Sequence, residues 1–156
     1  MDETEVKRLS LELMEISHPA YLTTIDPAGF PHTRAMTNLR NKSQRPDLVS
    51  LFRDHQEDFL IIFSTNTSST KVKHVREDPK VSVYYTNPEK WQGVMFGGKI
   101  EIVPEVELKR AIWEDGMEKY YPSGYDDPDH TILRLRPQMA KGWDGQKFNT
   151  FAFKIS

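Results

Sequence analysis

Apolar residues recur at Val6, Leu9, Leu13 and Ile16, with charged residues on the other faces. That period predicts an amphipathic helix over residues 5–17, with Asp2 or Thr4 as its cap and His18-Pro19 as its end. The pattern then changes. Residues 21–25 and 32–39 are rich in β-branched and aromatic side chains and flank Asp26-Pro27-Ala28-Gly29, the chemistry of a hairpin turn. Residues 59–63 are apolar without interruption, the mark of a strand buried on both faces. A short helix follows from Lys71 until Asp78-Pro79 stops it. Residues 47–52, 81–85, 92–103, 131–136 and 147–155 read as further strands. In the last of these Phe151, Phe153 and Ile155 share a side, and Gly97-Gly98 marks a bulge or bend in 92–103. Pro104 opens a helix with Leu108, Ala111 and Ile112 on its buried stripe, and residues 120–130 form an irregular loop. About seven strands joined by short turns, two substantial helices and one short one predict an antiparallel barrel or sandwich flanked by helices.

The length of 156 residues suits one domain with a real core, and the net charge of −2 gives no electrostatic footprint for nucleic acid or an anionic membrane. With no cysteine, disulfides, thiolate nucleophiles and cysteine-bound metals are excluded. The acidic start lacks an apolar signal core and no run approaches membrane-spanning length, so a cytoplasmic protein is expected.

Candidate chemistry gathers after the buried strand. Residues 64–70 are small and polar, six of the seven carry a hydroxyl, and Lys71 follows at a helix start. Hydroxyls, free first-turn N–H groups and an ammonium suit an anion such as phosphate. The plain alternative is ordinary helix capping, and the absence of G-x-x-x-x-G-K-[ST] excludes a P-loop. Arg34 stands in an otherwise uncharged strand, which calls for either an exposed face, an ion pair or an anion at a barrel mouth. The five histidines form no metal-binding pair, and Asp126, Asp127 and Asp129 around Pro128 read as turn-capping carboxylates. Without G-x-S-x-G there is no nucleophile elbow.

Five strings in order carry a resemblance: DPAGFPHTRAM (26–36), FSTNTSSTKV (63–72), DPKVSVYY (78–85), GGKIEI (97–102) and WEDGMEKYYPSGYDDPD (113–129). Over nearly its whole length the chain resembles the flavin-binding split-barrel proteins related to pyridoxamine 5′-phosphate oxidase, in the branch of the general stress proteins. The resemblance implies a mainly β fold, a six-stranded antiparallel split β-barrel with flanking helices, forming a homodimer with FMN at the interface. It places Arg34 on the FMN phosphate and runs the backbone of Ala35, Met36, Thr37 and Asn38 along the ribityl chain and ring edge. Ser64 and Thr65 match the pair ending the next strand, and Ser69 and Lys71 match two members of the family's S-R-K phosphate clamp. The clamp's arginine is Thr70 here, and losing one charge-assisted bond costs about 1.5–3 kcal/mol. Gln92 lies one position off the family's flavin-contacting glutamine, and Trp143 is similar to a late tryptophan that approaches the cofactor from the partner subunit. The oxidase's R-L-H substrate string corresponds to residues 144–149, which hold no arginine or histidine, so the vitamin-forming oxidase is not expected. The implied function is a flavin-dependent oxidoreductase of unknown substrate, with no named catalytic residue. The alternatives are a flavin-storing stress protein, an oligonucleotide-binding barrel, or a deazaflavin or haem ligand in the same cleft.

Overall fold

The computed structural model describes residues 1–156. Helix α1 (Glu3–Ile16) begins with a reciprocal cap: Asp2 accepts from the Glu5 N–H while the Glu5 carboxylate accepts from the Asp2 N–H. Val6, Leu9 and Leu13 of the expected stripe are buried, but Ile16, the last helical residue, is 56% exposed and Met14 takes its place in the core.

The strands are β1 (Pro19–Ile25), β2 (Pro31–Thr37), β3 (Ile61–Asn66), β4 (Lys80–Asn87), β5 (Gln92–Val103), β6 (His130–Leu135), β7 (Met139–Asp144) and β8 (Asn149–Lys154). All pairings are antiparallel. Six strands form one continuous path, β2-β1-β4-β5-β6-β3, curled into the half-barrel of a split-barrel fold, and the hairpin β7-β8 branches from β5. Strand β5 makes this branching possible. Its first half pairs with β4 and β7, and from Ile100 onward it pairs with β6. Gly97 and Gly98 sit at that exchange. A Cβ on Gly97 would come 2.8 Å from the Met139 sulfur, and one on Gly98 would come 3.1 Å from Leu135, so the expected close approach is real.

The main core fills the curl. Leu22, Val83, Phe96, Ala140 and Phe153 form one buried row across the strands, plugged by α1 and by Val72 and Val75 of helix α3 (Thr70–Glu77). A smaller core packs helices α2 (Val49–Phe52) and α4 (Val106–Ile112) on the other side of β3 and β6, through Leu48, Phe52, Ile62, Ile112 and Ile132.

Two expectations are corrected. Residues 47–52 are not a strand but a 3-10 turn, Pro46–Leu48, running into α2. Pro46 at a first helical position presets helical φ, and Leu48 and Phe52, four apart, face the second core together. Strand β7 is the one the pattern did not mark.

Candidate anion and cofactor site

Hairpin geometry places Arg34 opposite Leu22, on the half-buried side of the edge strand β2. Its Nη1 donates to the Thr24 hydroxyl at 2.7 Å, the His32 carbonyl at 2.9 Å and the Leu22 carbonyl at 3.3 Å. One end of the guanidinium is thereby fastened to neutral oxygens while Nε and Nη2 donate to nothing in the protein. The same Thr24 hydroxyl that accepts from Arg34 is hydrogen-bonded to His74 Nδ1 at 2.9 Å. The buried His74 on α3 thus holds the acceptor that holds the arginine.

Lys71, in the first turn of α3, donates to the Thr65 hydroxyl at 3.0 Å. Burial pulls the Lys71 ammonium below its usual range, and the neighbouring Arg34 charge adds to that. Burial also lowers Arg34. Among the influences on either cation there is no carboxylate. Two like charges close enough to repel, each partly desolvated, are a costly arrangement unless an anion sits with them.

The third member is Ser69. It is the N-cap of α3 by backbone conformation, yet its side chain makes no capping bond, and its Oγ is enclosed without any hydrogen-bond partner. A buried hydroxyl left unpaired costs about 1–3 kcal/mol, so its orphan state points to an absent acceptor. Because no side chain caps α3, its first-turn N–H groups face the same place. A tetrahedral oxyanion fits this donor set: one guanidinium, one ammonium, one hydroxyl and a helix N-terminus.

Not every hydroxyl of residues 64–70 takes part. Asp129 claims the first half of the loop: its carboxylate accepts from the Ser68 N–H and the Asn66 amide, and its carbonyl from the Thr67 N–H. These bonds hold the Asp129 carboxyl below its ordinary range. Asp127 likewise accepts from the N–H groups of Ser123 and Asp129, so these carboxylates cap turns as expected. Ser64 has a different fate. The fully buried His130 donates from Nδ1 to the Tyr125 carbonyl at 2.5 Å, and burial keeps its ring neutral by lowering its pKa. Nε2 is therefore an acceptor, and the Ser64 hydroxyl spends its proton on it at 2.8 Å. Ser64 can only accept from a ligand. This network was missed by sequence reasoning; Tyr121 packs on the His130 ring at 4.6 Å and Trp113 at 5.8 Å.

Of the remaining expected site residues, Ala35 and Thr37 lie on the exposed side of β2. Met36 is in the main core, and the Asn38 amide donates to the Met14 and Ser17 carbonyls, tying the end of β2 to α1. Gln92 donates to Asp144, and Trp143 stands half exposed on β7 opposite Gly93. Within one chain Trp143 and Arg34 are four strands apart, about 19 Å along the sheet. The chain brings Arg34, Thr65 and Lys71 together with Ser69 at the same helix start, leaves Thr70 exposed beside them, and sets Gln92 and Trp143 at the far side.

A family model described as pyridoxamine 5′-phosphate oxidase matches residues 10–144. General stress protein 26 of Bacillus subtilis is 25% identical over 142 residues, covering 88% of each chain. A protein from Clostridium acetobutylicum related to general stress protein 26 has a solved structure that superposes with a TM-score of 0.76 at 30% identity, covering 99% of this chain and 97% of that one. A haem-binding protein from Mycobacterium smegmatis superposes at 0.63 with 17% identity, covering 93% and 57%, a likeness of fold alone.

Proposed function

The chain belongs to the pyridoxamine 5′-phosphate oxidase family, and from that premise we propose that it is an FMN-binding flavoprotein whose phosphate site is built on Arg34, Ser69, Thr70 and Lys71. The observation that carries this reading is the pair of unbalanced cations beside the orphaned Ser69 hydroxyl. Thr65 steers the ammonium of Lys71, and the Thr24–His74 couple steers Arg34. The backbone from Ala35 to Asn38, exposed at Ala35 and Thr37 and buried at Met36 and Asn38, would run along the polyol and ring, with Ser64 accepting from a ribityl hydroxyl. Gln92 and Trp143, too far along the sheet to serve their own chain's phosphate, would complete the cleft of a second copy in a homodimer.

When bound, the flavin supplies hydride acceptance and delivery at N5. The protein's part is to fix the phosphate, seat the ring and exclude water. A flavin-dependent oxidoreductase is the leading activity. Flavin storage is favoured by one observation: the titratable groups nearest the site are already engaged, His74 with Thr24 and His130 with both Ser64 and Tyr125. Haem is less well served, because the donor set is one for an oxyanion and those two buried histidines are committed.

The test is spectroscopic. Purified protein, or apoprotein given FMN, should show a flavin absorbance band and quenched flavin fluorescence. Protein that stays colourless and leaves FMN emission unchanged contradicts both flavin readings. Anaerobic bleaching by NADH or NADPH, with reoxidation by an acceptor, would separate oxidoreductase from storage protein.

A further inference from the structure

A second cationic cavity lies away from the Arg34–Lys71 site, between the C-terminal end of α1, the chain that follows β2, and α2. It holds roughly 210 Å³. Leu39, Leu48, Val49 and Phe52 give it an apolar side, while Arg40, Lys42, Arg45 and Arg53 outnumber the single lining carboxylate, Glu15. Two of these charges are already balanced. Lys42 pairs with Glu15 at 2.6 Å, and Arg45 grips Asp47 with both ends at 3.0 Å.

Arg40 makes no direct ion pair, although the Glu15 and Asp58 carboxylates act on it at longer range. Its residue is 5% exposed, its Nε donates to the Leu60 carbonyl and its Nη2 to the His55 carbonyl, both at 2.8 Å, and its carbon centre lies 4.6 Å from the Phe52 ring. No carboxylate touches it, Nη1 donates to nothing, and burial pulls the guanidinium below its usual range. The two carbonyl bonds explain how the side chain is held but leave a full charge and a spare donor at a cavity wall. Arg53 is an exposed second cation on the same wall and also lacks an ion-pair partner.

We propose that this cavity binds a small organic carboxylate, its charge on Arg40 and Arg53 and its apolar body against Leu39, Leu48 and Phe52. The free Arg40 Nη1 and the unpaired Arg53 guanidinium supply donors for a carboxylate, and the apolar wall of Leu39, Leu48 and Phe52 suits an organic body attached to it. The volume suits a single ring or short acyl chain, since an apolar cavity of about 150 Å³ accommodates benzene. The site is independent of the flavin reading.

The experiment is a titration of isotope-labelled full-length protein with benzoate and, separately, with neutral benzyl alcohol, followed by amide shifts. Benzoate should saturably shift amides within residues 39–56, and benzyl alcohol should not match it. Arg53→Glu, at an exposed position, should weaken benzoate binding at least about tenfold, and Val49→Trp should block it. Arg40→Gln should abolish it, but Arg53→Glu carries the test if that variant fails to fold. An Arg34→Ala, Lys71→Ala protein should respond to benzoate as the parent does. No saturable shift, equal response to benzyl alcohol, or shifts confined to residues 64–72 would each overturn the proposal.

Discussion

The Ser69 hydroxyl has no donor or acceptor in reach, and its removal should therefore have opposite effects in the two states of the protein. N-cap serine to alanine ordinarily costs about 1 kcal/mol, but here no capping bond exists to lose. Ser69→Ala should leave the melting temperature of the flavin-free protein unchanged or raised, and weaken FMN roughly threefold to tenfold. A clear fall in flavin-free stability would mean that the hydroxyl has an internal role. His130 supplies a second residue-scale prediction. Its pKa is depressed from an ordinary value near 6.5, chiefly by burial. The unfolded chain therefore takes up the proton first. The stability it contributes is complete above about pH 6.5 and is lost as pH falls toward the folded value. Thermal midpoints of the parent should drop between neutral pH and pH 5 more steeply than those of His130→Gln. Parallel slopes would show that the ring titrates freely. At this scale the sequence told which residues matter better than what each does. The hydroxyl run and Arg34 were legible as donors and cations. That Ser64 has already donated its proton, and can offer a ligand only a hydrogen-bond acceptor, was not, because it depends on a histidine sixty-six positions away whose tautomer a backbone carbonyl decides.

Among the elements, β5 does most to define the architecture, since it leaves β7 to join β6 and bends at paired glycines to do so. The branch at β7 depends on another close approach. A Cβ on Gly142 would lie 2.6 Å from the Gly93 carbonyl oxygen and 2.3 Å from the Phe151 ring. Backbone cannot step aside there, so Gly142→Ala should destabilise by about 1–3 kcal/mol in chemical denaturation. A neutral result would mean that the hairpin β7-β8 floats free of β5. The same strand shows why part of the fold was hard to read. Met139-Ala-Lys-Gly-Trp-Asp has no β-branched residue and follows a proline, so its pairing comes from two distant partners rather than local preference. Conversely, residues 47–52 carry a strand-like apolar run, and helix wins because Pro46 sets the first turn and the second core rewards a spacing of four. The helix α1, the hairpin β1-β2 and the limits of β5 were legible because pattern and turn chemistry agree there with the tertiary contacts.

For the whole molecule, several large side chains remain uncovered. Trp91 is 75% exposed and Phe148 81%, on adjacent turns linked by the Gly145 N–H to Trp91 carbonyl bond, with Trp143 half exposed beside them. Such a patch beside residues set too far from their own chain's cations suits a second copy. Light scattering should give twice the 18.2 kDa of one chain, and Trp143→Ala should weaken FMN without changing the stability of the flavin-free fold. A strict monomer would remove the two-subunit cleft. The central claim, that Arg34 and Lys71 grip a flavin's phosphate, is tested most directly by titrating the protein with FMN and with riboflavin, which lacks the phosphate. FMN should bind the parent at least tenfold more tightly, about 1.4 kcal/mol or more, and Arg34→Ala and Lys71→Ala should each erase most of that difference. Equal affinity for the two flavins, or an FMN preference that survives both substitutions, would contradict it.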